Sequence, residues 1–351
     1  MGRAIRADVY DVISDSGIPW QEFKGCTVLI TGATGLIGSF IARALAAANI
    51  KHGLGMRLIG HGRDKSKGAC MAQELDMEFA SSDIRRPSPI ADITDTIGYV
   101  FHCASITKSA DMITRPADVK SVATDGTKNT LDLALQKGCR SFVYVSSMEV
   151  YGQTALSEVK EGDLGHIDPS DPRSSYPESK RICETLCAEY AARYGLPVKI
   201  ARLAQTFGAG TPKDDTRVFA QFARSAAGSR DIELHTEGRS RGNYCCTSDA
   251  VRGMLTVLFR GENGAAYNIA NTAASVTIRE HAELVAGKVC SGRINVIVKV
   301  PEDIKTRGYA PDAGYTLNTD KLKTLGWAPK YGLEEMYGRL LADWREREEE
   351  S

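Results

Sequence analysis

The sequence has no surplus of either charge: 44 lysines and arginines balance 44 aspartates and glutamates over 351 residues. That balance argues against a polyanion, and so against a nucleic acid, as the main partner. No apolar run approaches the ~20 residues of a membrane span. The N-terminus also lacks the apolar core of a signal peptide, so no membrane partner is expected. The nine cysteines are scattered and odd in number, which fits neither a secreted disulfide framework nor a zinc pattern. A reducing cytoplasm is therefore the expected setting. Cys183 and Cys187 lie four apart on a predicted helix with no further ligands suggested nearby, so they read as buried thiols and no metal is expected. Nor is the composition that of a disordered or fibrous chain, since 42% hydrophobic and 25% charged residues are ordinary globular values. The length allows one large domain or two.

What the sequence does have is organised around Thr27–Ser39. Apolar and β-branched residues run straight into a turn with glycines at 32, 35 and 38. Beyond it Ile37, Phe40, Ile41, Ala44 and Leu45 recur at helical spacing. A strand, a glycine turn and a helix in that order form a dinucleotide-binding signature: the glycines let backbone amides approach a pyrophosphate at the helix N-terminus. Gly32, Thr34, Gly35, Leu36, Ile37 and Gly38 are the candidate cofactor residues of this loop. A second strand is predicted over Met56–Gly60, followed by Gly62 and Arg63. An acidic residue at this tip usually holds the ribose hydroxyls of NAD, whereas Arg63 suits a 2′-phosphate; Asp64 is a late acidic substitute.

A third strand is expected to end near Phe79, with Asp83 and Ile84 beyond it placed to meet an adenine. The apolar run Gly98–Ser105 ends in small residues, so the backbone at Ala104 can lie along the cofactor. A helix over Val119–Lys137 is stopped by Gly138, and Ser141–Ser147 reads as a buried strand. This alternation predicts a doubly wound parallel α/β sheet of the Rossmann type, with ligands beyond the carboxyl ends of the strands. Ser147 and Glu149 sit at one such end. Tyr176 and Lys180 then open a helix, and their four-residue spacing puts both on one face. An ammonium near a phenol stabilises the phenolate, so Lys180 is expected to lower the Tyr176 pKa. Before Lys24, Val9, Val12, Ile13 and Ile18 suggest a small helix packed on the domain surface. Residues 243–260 read as helix, Tyr267–Ala270 as a strand, Thr277 as a helix start, and Glu348–Ser351 as a solvated, fraying end.

The glycine loop, the Ser146–Gly152 run and Tyr176–Lys180 together resemble the extended short-chain dehydrogenase/reductases, in the branch of nucleotide-sugar epimerases, dehydratases and decarboxylases. The resemblance spans residues 24–345. It implies a dinucleotide-binding region over 24–200 preceded by an N-terminal extension over 1–23. A smaller, partly interleaved C-terminal substrate region would then occupy 201–345. It implies NAD as cofactor, with NADP kept open by Gly62 and Arg63, and a nucleotide sugar as substrate. Tyr176 would be the acid/base, Ser147 would bond the sugar hydroxyl and Lys180 would hold the nicotinamide ribose. Ser105, Gln205, Arg217 and Arg241 would meet the substrate. Gln205 stands where relatives carry asparagine, Gly242 where they carry arginine (Arg241 or Arg239 substituting) and Ala123 where asparagine is frequent. The family also implies a homodimer through the helices at Val119–Lys137 and Tyr176–Tyr190.

Three functions follow for comparison. The first is an enzyme that oxidises a sugar hydroxyl to a transient ketone, alters the sugar and reduces it back. Met148 before Glu149 disfavours the dehydration of dTDP-sugars that uses an Asp-Glu pair, while Ser-x-Glu resembles decarboxylases and guanosine-sugar dehydratases. The second is a one-way NADPH-dependent keto-sugar or carbonyl reductase. The third, a catalytically idle nucleotide-sensing or scaffold protein, does not require Ser147, Tyr176 and Lys180 together.

Overall fold

A computed structural model describes residues 1–86, 96–300 and 314–349. Its frame is a parallel sheet of seven strands: β1 (Thr27–Thr31), β2 (Arg57–Gly62), β3 (Glu78–Ser81), β4 (Tyr99–His102), β5 (Ser141–Ser147), β7 (Val198–Leu203) and β11 (Ala266–Ile269), of which β6 (Glu158–Val159) is not a member. They lie in the order β11-β7-β5-β4-β1-β2-β3, the doubly wound arrangement whose order reverses beside β1. Every residue of β1 is buried, because a parallel sheet is covered on both faces. Side chains alternate between the layers: Val28 and Ile30 join one core cluster and Leu29 the other.

The first layer holds α1 (Arg3–Ile13), α2 (Leu36–His52) and later α8 (Thr247–Arg260). On the opposite face lie α5 (Pro116–Gln136) and α6 (Ser175–Tyr194), packed against each other. Between these come α3 (Lys65–Leu75) and the short α4 (Ser109–Thr114). The α5 helix starts three residues before Val119, because Pro116 fits the first turn, where its missing N–H costs nothing. The second strand extends past Gly60, since the ladder with β3 continues through His61↔Ala80 and Gly62↔Ser81. Cys183 and Cys187 are buried in α6.

After β7 the chain alternates between this sheet and a smaller unit. Strands β8 (Gln205–Phe207), β10 (Arg241–Cys246) and β12 (Asn271–Thr277) form a three-stranded sheet, with α7 (Val218–Ala227) beside it. Two strand pairs flank it: β9 (Ile232–Leu234) with β13 (Val296–Val298), and β6 with β14 (Thr316–Leu317). Phe207 and Phe219 stack at 4.5 Å in its core, with Tyr337 against Phe207 at 5.2 Å. The helical reading of 243–246 is corrected: these residues complete β10, and the helix begins at Thr247. Tyr244, Cys245 and Cys246 are each laddered to β8, and hydrogen bonding across the sheet prevails over their apolar run.

Two ends of the chain meet. The N-terminal helix buries Val9, Val12 and Ile13, and its Asp8 and Asp11 pair with Arg339. After α9 (Ile278–Leu284), opened by a capping box between Thr277 and Glu280, and α10 (Asp320–Lys323), the last helix α11 runs from Leu333 to Glu349. The fraying expected from Glu348 is corrected over that span: the helix persists, and Glu348 pairs with Lys213 at 2.6 Å. Residues 350–351 lie outside the described part.

Candidate active site

A cleft of about 720 Å³ opens at the carboxyl ends of the central strands, between the large sheet and the smaller unit. Its floor is the loop joining β1 to α2. Gly32 has φ +65°, and a Cβ there would sit 2.8 Å from the Ala104 nitrogen, so only glycine lets β1 and the segment after β4 cross. At Gly38 a Cβ would lie 2.3 Å from the Gly32 carbonyl, so that glycine seats the helix on its own turn. Gly35 differs. Its φ is an ordinary −82° and a Cβ would meet only the Gly32 oxygen at 3.3 Å. Thr34, Leu36, Ile37 and Ala104 also line the cleft.

One end of the cleft lies at the tip of β2, lined by Gly62, Arg63, Lys67, Asp83 and Ile84. Asp64 is occupied as the N-cap of α3, accepting from the Lys67 backbone N–H at 3.0 Å. Both oxygens of Asp83 accept from the Arg85 guanidinium, Oδ1 at 3.1 Å and Oδ2 at 2.6 Å. These hydrogen bonds hold the Asp83 carboxyl down at about 2.

The candidate chemical centre lies where the end of β5 meets the start of α6. Ser147 closes β5, and its Oγ accepts from the Glu149 N–H at 3.2 Å, starting the short 3-10 turn Met148–Tyr151. Tyr176 and Lys180 share a face of α6, as their spacing predicts, with the Lys180 Nζ 5.7 Å from the Tyr176 ring centroid. The expected tuning of the phenol by Lys180 is corrected for this state. The buried ammonium turns to the Val145 carbonyl at 2.7 Å, and burial pulls its pKa down. Burial pushes the Tyr176 hydroxyl well up, and the Glu149 carboxylate adds to this; a hydrogen bond from Ser147 and the charges of Arg217 and Arg173 oppose it. Arg173, in the turn before α6, pairs with Glu149 at 3.3 Å with both side chains about one third exposed.

Toward the smaller unit, Gln205 and Ser105 line the cleft, and the Gln205 Oε1 and Ser105 Oγ are buried without a hydrogen-bond partner among the described residues. Arg217 reaches the same wall from the N-cap of α7, held by Asp215 at 2.6 Å. Arg241 lies outside this lining: its guanidinium donates to the Ser275 carbonyl at 2.6 Å, across the small sheet.

Residues 28–270 match the model of the NAD-dependent epimerase/dehydratase family. The chain belongs to that family. UDP-glucuronic acid decarboxylase 5 of Arabidopsis thaliana is 29% identical over 348 residues, covering 94% of this chain and 93% of its own length. UDP-glucuronic acid decarboxylase 1 of Danio rerio is 28% identical over 312 residues, covering 88% of this chain and 70% of its own. Among solved structures, the epimerase Mth375 of Methanothermobacter thermautotrophicus has a TM-score of 0.80 at 22% identity, with 97% of each chain covered.

The dinucleotide implied by this family fits the cleft on physical grounds. The face of Gly35 bare of side chain, the α2 N-terminus behind it and the unpartnered Ser105 hydroxyl leave polar atoms where a phosphate and ribose need them. Two features escaped the sequence. The first is Arg173, which stands three residues before Tyr176; its partner Glu149 is 24 positions away, so spacing carries no signal. The second is a buried ion pair behind the centre, Glu184 with Arg202 at 2.6 Å. Glu184 also accepts from Ser146 Oγ at 2.6 Å, and Arg202 donates to the Tyr151 hydroxyl at 3.0 Å. Thus β5, β7, α6 and the Glu149 turn share one network.

Proposed function

We propose that this enzyme oxidises a hydroxyl of a nucleotide sugar to a transient ketone, alters the sugar beside that ketone, and reduces it back. The alteration we favour is loss of carbon dioxide from a UDP-hexuronate. The observation that carries the reading is the adjacency of two proton-handling groups in one cleft, Tyr176 beside Ser147 and Glu149 beside Arg173. The substrate assignment draws on the relatives, whose names are those of UDP-glucuronic acid decarboxylases.

Bound NAD or NADP supplies the hydride acceptor and, later, the donor. Ser147 orients the hydroxyl, and Tyr176, in the phenolate form that the free N–H donors of Lys180 would stabilise, takes its proton as the ketone forms. Lys180 uses one N–H on Val145 and keeps two for a ribose hydroxyl or the developing phenolate. A ketone placed β to the carboxylate weakens the bond from the carboxylate to the carbon that lies between the two groups. That bond breaks, its electron pair becomes an enolate and CO2 leaves. Glu149, reprotonated from water and steadied by Arg173, would deliver the proton that quenches the enolate carbon, while Arg173 offers its remaining N–H donors to the substrate carboxylate. Gln205 and Arg217 would meet the diphosphate and base. The same reading divides the chain into an extension (1–23), a dinucleotide region (24–200) and a mainly substrate-binding region (201–345). It pairs two copies through α5 and α6, where Leu135, Ile182 and Tyr194 are exposed.

A second reading, a one-way keto-sugar reductase, is favoured by Arg63 and Lys67 at the β2 tip. Glu149→Gln separates the two. The amide keeps the shape but carries no proton to give, so the redox-neutral enzyme stalls after oxidation and reduced cofactor builds up at about 340 nm. Wild-type product formation by this variant would overturn the role of Glu149 and leave a simple epimerase or reductase.

A further inference from the structure

The adenosine end of the cleft differs from what an NAD site needs. A dinucleotide in this fold lays its adenosine ribose against the tip of the second strand. A carboxylate there bonds the two ribose hydroxyls, whereas a cation accommodates a 2′-phosphate. The last residue of β2 is Gly62. A Cβ built on it would lie 3.4 Å from Thr34 Oγ1 and 3.2 Å from the Phe79 ring, so position 62 faces the glycine loop and presents no carboxylate to it.

The two nearest acids are already committed. Asp64 caps α3 through the Lys67 backbone. Asp83 is gripped by the Arg85 guanidinium at 2.6 and 3.0 Å and accepts the Arg85 backbone N–H at 3.0 Å. A ribose diol would have to displace those bonds. Two cations, by contrast, line this end of the cleft. Arg63 follows Gly62 directly; the Asp83 carboxylate is close enough to feel its charge, but among the described residues none lies within ion-pair distance of its guanidinium. Lys67 sits one helical turn beyond Asp64, its ammonium 3.8 Å from that carboxylate in a largely exposed pair that holds it loosely.

We infer that this site selects NADP over NAD, with Arg63 and Lys67 as the ligands of the 2′-phosphate. The arginine supplies a planar donor fork matched to phosphate oxygens, and the lysine a second, mobile point charge. The inference rests on the dinucleotide reading of the cleft and is independent of which sugar the enzyme alters.

The test is calorimetric titration of the purified, nucleotide-stripped protein with NADP+ and, separately, NAD+. NADP+ should bind about tenfold to a hundredfold more tightly, the range for a pair of charge-assisted hydrogen bonds. Arg63→Ala, an exposed change that leaves the core untouched, should reduce that preference by about tenfold or more, and Lys67→Ala by less. Mass spectrometry of nucleotide released by denaturing the protein as purified should find NADP or NADPH. Equal or tighter binding of NAD+, an unchanged preference in Arg63→Ala, or retained NAD would overturn the inference while leaving the proposed chemistry standing. Failure of the folded protein to bind either nucleotide would instead overturn the dinucleotide reading beneath it.

Discussion

Glu184→Ala strands a charge behind the proposed catalytic centre. In the native protein the Glu184 and Arg202 side chains are only 10% and 5% exposed. Glu184 Oε1 accepts from Arg202 Nε at 2.9 Å and Oε2 from Nη2 at 2.6 Å. After the substitution Arg202 keeps the Tyr151 hydroxyl at 3.0 Å and the Glu161 carbonyl at 2.7 Å, but no counter-charge. Breaking one side of a buried pair costs about 3–5 kcal/mol. The charge-assisted bond that Ser146 loses to the carboxylate adds about 1.5–3 kcal/mol. Against a total stability of about 5–15 kcal/mol this is a large fraction. Urea unfolding followed by circular dichroism should therefore show a strongly lowered midpoint. Replacing both residues by methionine removes both charges and should recover about 1–3 kcal/mol of the loss. A single variant within about 1 kcal/mol of wild type, or a double variant no better than the single, would refute the argument that the pair is an enclosed charge couple.

Two further outcomes follow from the same geometry. Gly35→Val should weaken dinucleotide binding at least about tenfold, with a modest drop in melting temperature because its Cβ crowds the Gly32 oxygen at 3.3 Å, while the side chain fills the phosphate's approach at an ordinary φ; unchanged affinity on folded protein would remove the loop from the site. Stability should also fall as pH drops from about 6.5 to about 4. Burial holds the His61 pKa at about 4 and His102 at about 3, below the ordinary 6.5. The unfolded chain therefore takes up protons that the native state refuses. The His61 contribution is intact above about 6.5 and its loss, roughly 3 kcal/mol, is complete below about 4. His61→Gln should flatten the pH dependence of the denaturation midpoint across that window, and an unaltered slope would show that His61 does not titrate there.

The parts of this molecule that were legible in its sequence are those fixed by local pattern. The bounds of β5 match the apolar run Ser141–Ser147, and the glycine loop lies between β1 and α2 as the motif requires. Tyr176 and Lys180 share a face because the helix period dictates it. What escaped depends on contacts across long separations. Residues 243–246 become a strand only because β8 and β12 flank them. Spacing puts Lys180 near Tyr176 but does not show its ammonium turned to Val145, nor burial and then Glu149 raising the phenol's pKa. Arg241 has the charge for a diphosphate, yet the register of β10 against β12 directs it to Ser275.

The central claim, a keto-sugar that forms and is reduced within one catalytic cycle, is tested most directly by isotope. UDP-glucuronate is labelled with deuterium on the carbon whose hydroxyl would be oxidised, incubated with the enzyme carrying its nucleotide, and the product is read by mass spectrometry and NMR. The account predicts a UDP-pentose, one CO2 lost per turnover, the deuterium back on its original carbon, and no net change in nicotinamide oxidation state. Intact UDP-glucuronate, or deuterium leaving on released reduced cofactor, would contradict it.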